Sequence, residues 1–461
     1  METINRLESE VRGYVRGFPT VFTTAKGNRM TDDKGDVYLD FFGGAGALNY
    51  GHNDEVMKAA LLDYIQGDNI CHGLDMATAE KVRFLETFEE VIMKPRGMDY
   101  KIQFPGPTGT NAVEAALKIA RKVKGRSGVL CFTDGYHGMT LGALAVTGNS
   151  SKRGGAGVNL QDTRSLPFCD YFRDGRDTAA DLEYMLKDGS SGLEKPAAVI
   201  LETVQGEGGI NVASDEWLRE IERICRENDM LLIVDDIQAG VGRTGPFFSF
   251  EPSGIKPDII TVSKSLSGFG LPLAITMIRP DLDIWEPGEH NGTFRGNNHA
   301  FVTAVAAINH YWRDDAFEKE ILRKGEHMRK RLNEIVDSHP GFNAEVRGRG
   351  MFIGVDCEIA EIADELGGEE VVRNSAQQLL VLAAVTVARL PRALLHHAVP
   401  ARRGARRRRA RSAPGSGGQR SGGGGRARRG RVAPADGGHP RAPRRKGLAA
   451  QGLPEGRAIQ Q

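Results

Sequence analysis

Cysteine is scarce in this chain and never paired in sequence. Cys71, Cys131, Cys169, Cys225 and Cys357 stand far apart with no C-x-x-C pair, which excludes a disulfide framework or a zinc ribbon as the source of the fold. Long apolar runs are missing too. The longest, LLVLAAVTVA from Leu379 to Ala388, falls far short of the roughly 20 residues that span a bilayer as a helix. The start, METINRLESEVRGYVRG, lacks the apolar centre of a secretory signal. These absences predict a soluble, cytoplasmic protein with no membrane partner and no metal site.

Acidic residues are absent from Arg402 to Arg431, and Phe, Tyr and Trp are absent from His397 to Gln461. Residues 396–461 carry 17 Lys and Arg against 2 Asp and Glu, while residues 1–395 carry 44 against 58. The formal charge of +1 therefore balances a basic tail against an acidic body. Read alone, such a tail suggests phosphate contacts, and a nucleic-acid-binding protein with a vestigial catalytic body is one reading. Without aromatic side chains for bases to stack on, no nucleic-acid partner is expected.

Over the first 310 residues, strand-like apolar runs alternate with helix-period segments, the pattern of an α/β protein with a largely parallel sheet. KIQFPG, GVLCFT, AAVILE, LLIVDD, DIITVS and LAITMI read as strands. The stretch after Gly106 reads as a turn and an amphipathic helix with Val113, Leu117 and Ala120 on one face, and DEWLREIERICRENDM as a helix with Trp217, Ile221 and Ile224 at helical spacing. Two long helices follow His299 and Ala316, leading to a smaller unit that includes EVRGRGMFIGVDC.

Chemistry concentrates at strand ends. LLIVDDIQAGVGRTG ends a buried strand in Asp235 and Asp236, placing charge at the carboxyl edge of a parallel sheet, where ligands bind. Taken alone, both could simply cap the following turn. DIITVSKSLSGFGLP runs into Lys264; a desolvated lysine there is held toward the neutral amine that attacks an aldehyde. Alone, a surface lysine is the likelier reading. Asp235 and Lys264 are expected to end neighbouring strands and face one ligand from two sides. In GPTGTNAVEAALK, Gly106 and Gly109 are expected to free the backbone to bend, with Gly109 and Thr110 offering N–H groups and a hydroxyl to a phosphate. GYHG contributes Tyr136. Together these features suit an aromatic, phosphorylated cofactor with a reactive aldehyde, pyridoxal 5′-phosphate. His52, His72, His299 and Met351 are read as packing or surface positions.

ETVQGEGG, LLIVDDIQAGVGRTG, SKSLSGFGLP and NGTFRGN resemble the class III (omega) aminotransferases across nearly all of residues 1–357. The resemblance implies fold type I of the pyridoxal-phosphate transferases. Its large domain would span 51–315, with a small domain built from 1–50 and 316–374. Lys264 would carry the cofactor covalently and then move the proton, and Asp235 would pair with the ring nitrogen. Gln238 would bond the phenolic oxygen, Tyr136 would stack on the ring, and Gly109 and Thr110 would hold the phosphate. Thr293 would reach the phosphate of the neighbouring subunit, implying a homodimer or larger homo-oligomer, and Glu207 would gate substrates of different charge. FPTVFTTAKG and GALNYGHN place the chain near members that move the amine of glutamate to aspartate 4-semialdehyde. The products would be 2,4-diaminobutyrate and 2-oxoglutarate, the first step toward the osmotic-stress solute ectoine. Ornithine or 4-aminobutyrate as substrate is the alternative.

The family pattern is lost after about Asn374. Residues 375–461 read as an Arg/Gly/Ala/Pro-rich, disordered tail, as GC-rich coding DNA gives in a shifted frame, with the shift expected between about Asn374 and Leu390.

Overall fold

The computed structural model describes residues 1–338 and 344–357; the expected tail over 375–461 lies outside the described residues. The six strands expected in the body all form, as β1 (Lys101–Gln103), β2 (Val129–Phe132), β4 (Ala198–Leu201), β5 (Leu231–Asp235), β6 (Ile259–Val262) and β7 (Ile275–Ile278). A seventh, β3 (Thr163–Leu166), joins them at one edge. The sheet order is β1-β7-β6-β5-β4-β2-β3. The pairings from β6 through β5, β4 and β2 to β3 are parallel, and β7 runs antiparallel to both β6 and β1.

Successive side chains of a strand point to opposite faces, and both faces are covered. Val129, Cys131, Ala198, Ile200, Leu231, Ile233 and Ile259 pack with Val113, Leu117 and Ala120 of α1 (Gly109–Lys124). On the other face, Leu130, Phe132, Val199, Leu201, Leu232, Val234 and Ile260 pack with Trp217, Ile221 and Ile224 of α2 (Asp215–Glu227). Phe301 and Ala304 of α3 (Asn298–Tyr311) join this second core. Burial on both faces explains why the central strands read as continuous apolar runs rather than alternating ones.

Helices α1 and α2 begin where a side chain accepts an otherwise unbonded N–H. The Ser214 side chain accepts the Trp217 N–H at 3.1 Å at the start of α2. At α1 the Thr108 N–H donates to Asn111 Oδ1 at 3.1 Å, and Gly125 ends the helix at φ 60°. After α4 (Ala316–Asp337) the chain forms the hairpin β8 (Ala344–Arg349) and β9 (Phe352–Cys357). Its Met351 and Ile353 pack on Ile321 and Met328 of α4, in line with the packing role read for Met351. Before α1, Phe22–Lys26, Arg29–Asp32 and Val37–Leu39 form a small antiparallel sheet. Among the described residues no helix is long and apolar enough to cross a membrane.

Candidate active site

The register of the sheet brings the two predicted groups together. Asp235, the last residue of β5, pairs with Thr261 of β6, and β6 ends two residues before Lys264. The neighbouring carboxylates separate because side chains alternate along a strand. Asp235 accepts from His137 Nδ1 at 2.7 Å and from Thr261 Oγ1 at 3.2 Å. Its Oδ1 also accepts the Ile237 N–H at 3.2 Å, so the turn-capping role is real but secondary. Asp236 points away and is fully buried on Ser249, whose N–H lies 3.0 Å from Oδ2. Burial pushes Asp236 up to about 7 against the Ser249 bonds.

Lys264 lies just past β6 with φ 50°, an uncommon conformation for a lysine. Burial lowers its pKa, and the charges of Glu207, Asp235 and Glu202 oppose that effect without cancelling it. The result favours the uncharged amine expected from the sequence. Ser265 Oγ donates to the Gly46 carbonyl at 2.8 Å and accepts the Asn49 N–H at 3.0 Å, so the turn after Lys264 is pinned to the 46–49 loop. That loop leaves a left-handed turn, with φ of 52°, 60°, 55° and 89° at Gly43, Gly44, Ala45 and Gly46. The Ala45 carbonyl in turn accepts from Gln238 Nε2 at 3.0 Å. Asp40 anchors the turn by accepting the N–H groups of Phe42 and Gly43 at 2.7 and 2.8 Å, and is itself held by His52 Nε2 at 2.7 Å.

Gly109 corrects one expectation. It lies in the first turn of α1, so it is no flexible bend. A Cβ there would come within 2.9 Å of Ile237 Cδ1, so glycine serves a close approach between the helix and the chain that leaves β5. The first-turn N–H groups of Gly109 and Thr110 lack intrahelical acceptors, and Thr110 Oγ1 lies 2.8 Å from Thr140 Oγ1. Tyr136 is half-buried, its N–H donates to Glu202 Oε2 at 2.9 Å, and burial followed by Glu207, Glu202 and Asp235 raises its pKa. Glu207 pairs with Lys152 at 3.6 Å. Thr293 is exposed on the short turn Thr293–Arg295, beside Phe294, which is 65% exposed.

Two further residues join the site. His137, beside Tyr136 in GYHG, is buried on Asp235. Burial works against its charge, but the bond and charge of Asp235, with Glu202 behind, outweigh this and raise its pKa. Glu202 opens ETVQGEGG; burial pushes it up to about 7, against His137 and the N–H groups of Tyr136 and Gly206. No local pattern foretold either contact, because the partners lie 98 and 66 residues apart.

These residues fit pyridoxal phosphate. A buried carboxylate, a lysine held toward its free amine, an aromatic face and a helix N-terminus converge. The space between Gln238 and Lys264 is kept open at Gly46, where a Cβ would sit 3.4 Å from Gln238 Cγ and 3.8 Å from Lys264 Cδ.

A sequence model of the class III aminotransferases matches residues 12–394. The diaminobutyrate–2-oxoglutarate transaminase of Halalkalibacterium halodurans is 58% identical over 374 residues, covering 81% of this chain and 87% of that protein. The transaminase of the same name from Streptomyces anulatus is 59% identical over 361 residues, 78% of this chain and 85% of that one. Among solved structures, the ornithine aminotransferase of Toxoplasma gondii ME49 matches with a TM-score of 0.68 at 28% identity, over 79% of this chain and 83% of that one. The chain therefore belongs to the class III aminotransferases, enzymes of fold type I that depend on pyridoxal phosphate.

Proposed function

We propose that the chain transfers the amine of L-glutamate to the terminal carbon of L-aspartate 4-semialdehyde, giving L-2,4-diaminobutyrate and 2-oxoglutarate. The observation that carries this reading is the 58% identity to a diaminobutyrate–2-oxoglutarate transaminase over 87% of that protein's length. Ornithine and 4-aminobutyrate remain the rival substrates, since an ornithine aminotransferase shares the fold.

When bound, pyridoxal phosphate supplies an aldehyde and an electron-accepting ring. Lys264 is the group that would carry it, and its Nζ would be the base that holds the proton leaving the substrate carbon. Its lowered pKa keeps that nitrogen able to accept. Asp235 would hold a proton on the ring nitrogen, and His137 and Thr261 keep its carboxylate aimed. Gln238, fixed by the Ala45 carbonyl, would bond the phenolic oxygen, and Tyr136 would cover the ring. The first turn of α1, with Gly109 and Thr110, would take the phosphate. Thr293, exposed beside Phe294, completes the phosphate site of a second copy, which makes the working unit at least a homodimer. Glu207 gates the donor. The product would feed ectoine synthesis under osmotic stress, in the cytoplasm.

The test is the visible spectrum of the purified protein with and without glutamate. A band that shifts with glutamate and is absent in Lys264→Ala is expected; no band in the unsubstituted chain sinks the proposal. Turnover with ornithine or 4-aminobutyrate exceeding that with diaminobutyrate would move the substrate assignment to the rival.

A further inference from the structure

We propose that Glu114 is a positioning residue for the cofactor's phosphate, acting on Thr110 through Thr140. The inference rests on the first turn of α1 taking that phosphate.

Glu114 lies on α1 one turn past Thr110, on the same side of the helix. It meets the loop that leads from β2 into the short helix Leu141–Ala145. Thr140 stands at the cap position of that helix, yet its side chain makes no capping bond. A threonine there ordinarily accepts the N–H of the second or third helical residue. Here Glu114 Oε1 accepts that N–H, from Ala143 at 3.0 Å, and accepts the Thr140 hydroxyl as well. Glu114 has taken over the cap and turned the Thr140 hydroxyl toward α1.

The consequence falls on Thr110. A hydroxyl has one proton to give, and that of Thr140 goes to Glu114. Across the 2.8 Å contact between Thr140 Oγ1 and Thr110 Oγ1, Thr140 can therefore only accept, and Thr110 donates. Thr110 is closed in further by Gly138, where a Cβ would overlap Thr110 Oγ1 and lie 2.7 Å from Thr110 Cβ. Gly142 is bare for a like reason, since a Cβ there would overlap Glu114 Oε2. The Thr110 side chain is thus held between a glycine and an oriented hydroxyl, and the loop that carries Tyr136 and His137 is tied to α1. A phosphate meets a site already ordered, without the cost of ordering it on arrival. The charge of Glu114 by itself works against an anion nearby, so a role confined to charge would make its removal tighten binding. The positioning role makes removal weaken it.

The experiment uses the full chain freed of cofactor and titrated separately with pyridoxal phosphate and with phosphate-free pyridoxal, each followed by its visible band on binding. The ratio of the two dissociation constants isolates the phosphate, since both aldehydes meet the same Lys264. Glu114→Ala is expected to lower the preference for the phosphorylated form by roughly tenfold, the worth of one hydrogen bond to a charged group, with pyridoxal affinity little changed. Thr140→Val gives the same loss, and the double variant loses no more than either alone. Glu114→Gln, whose amide oxygen still accepts from Thr140 and Ala143, keeps the preference. An unchanged or raised preference in Glu114→Ala overturns the proposal, as does an equal weakening of both aldehydes. Should that variant fail to fold, an unchanged preference in Thr140→Val overturns it instead. Thr110→Val separates the proposal from the reading beneath it. A loss there without one in Glu114→Ala sinks the positioning role alone, and no loss there sinks the placing of the phosphate at Thr110.

Discussion

In the role proposed for Asp235 the charge matters more than the shape. Asp235→Asn preserves the side chain's size but removes the negative charge that would hold a proton on the ring nitrogen. The glutamate half-reaction is expected to slow by roughly 10²- to 10³-fold, about 3–4 kcal/mol of lost electrostatic stabilisation, measured by single-turnover absorbance. His137→Phe leaves Asp235 charged but removes its 2.7 Å donor. A smaller loss is expected, about tenfold or somewhat more, since one charge-assisted bond is worth about 1.5–3 kcal/mol. If the two variants lose equal activity, His137 does more than orient Asp235. Asp235 and Lys264 were legible in the sequence because each ends an apolar run. His137 and Glu202 were not, because what defines them is a partner that only folding brings near.

At the scale of elements, close approach decides what the site tolerates. A Cβ on Gly206 would stand 1.8 Å from Gln238 Oε1 and 2.8 Å from Phe352 Cζ of β9. Gly206→Ala must therefore move either the Gln238 amide or the hairpin. It is expected to cost about 1–3 kcal/mol in urea unfolding and to weaken cofactor retention on dialysis. Full stability with full retention would show that the loop gives way freely. The central strands were readable because burial on both faces leaves an unbroken apolar run. β3, with the sequence TRSL, escaped because an edge strand needs no such run. The reversed direction of β7 escaped because nothing local in LAITMI records which way a strand points.

Across the whole molecule, three buried groups share a direction of pH dependence. Glu202 and Asp236 are both pushed up to about 7, and His137 is raised. The folded state therefore binds protons more tightly at all three than the unfolded chain does. For the carboxyls this favours folding below about 4, where both states are protonated, and the advantage is lost as pH rises toward 7. For His137 the contribution is complete below its unfolded value, about 6.5, and is lost as pH rises through its higher folded value. One group that keeps its proton only in the folded state changes stability by about 1.4 kcal/mol per pH unit. Glu202→Gln is expected to flatten the decline in urea stability between about pH 5 and 7 by up to that slope. An unaltered slope would mean Glu202 is ionised in the folded protein throughout.

The amino-acid order alone determined that this is an α/β protein and placed a carboxylate and a lysine at strand ends. Strand character, helix period and the sites of charge are properties of contiguous residues. Folding decided how the two carboxylates part, because alternation along β5 turns Asp235 toward His137 and Asp236 toward Ser249. It also decided that Gly109 is needed for contact with Ile237 rather than for bending, and that Lys152 meets Glu207 across the Tyr136 ring. Those facts depend on distances between segments remote in sequence, and such distances exist only once the sheet has closed its register.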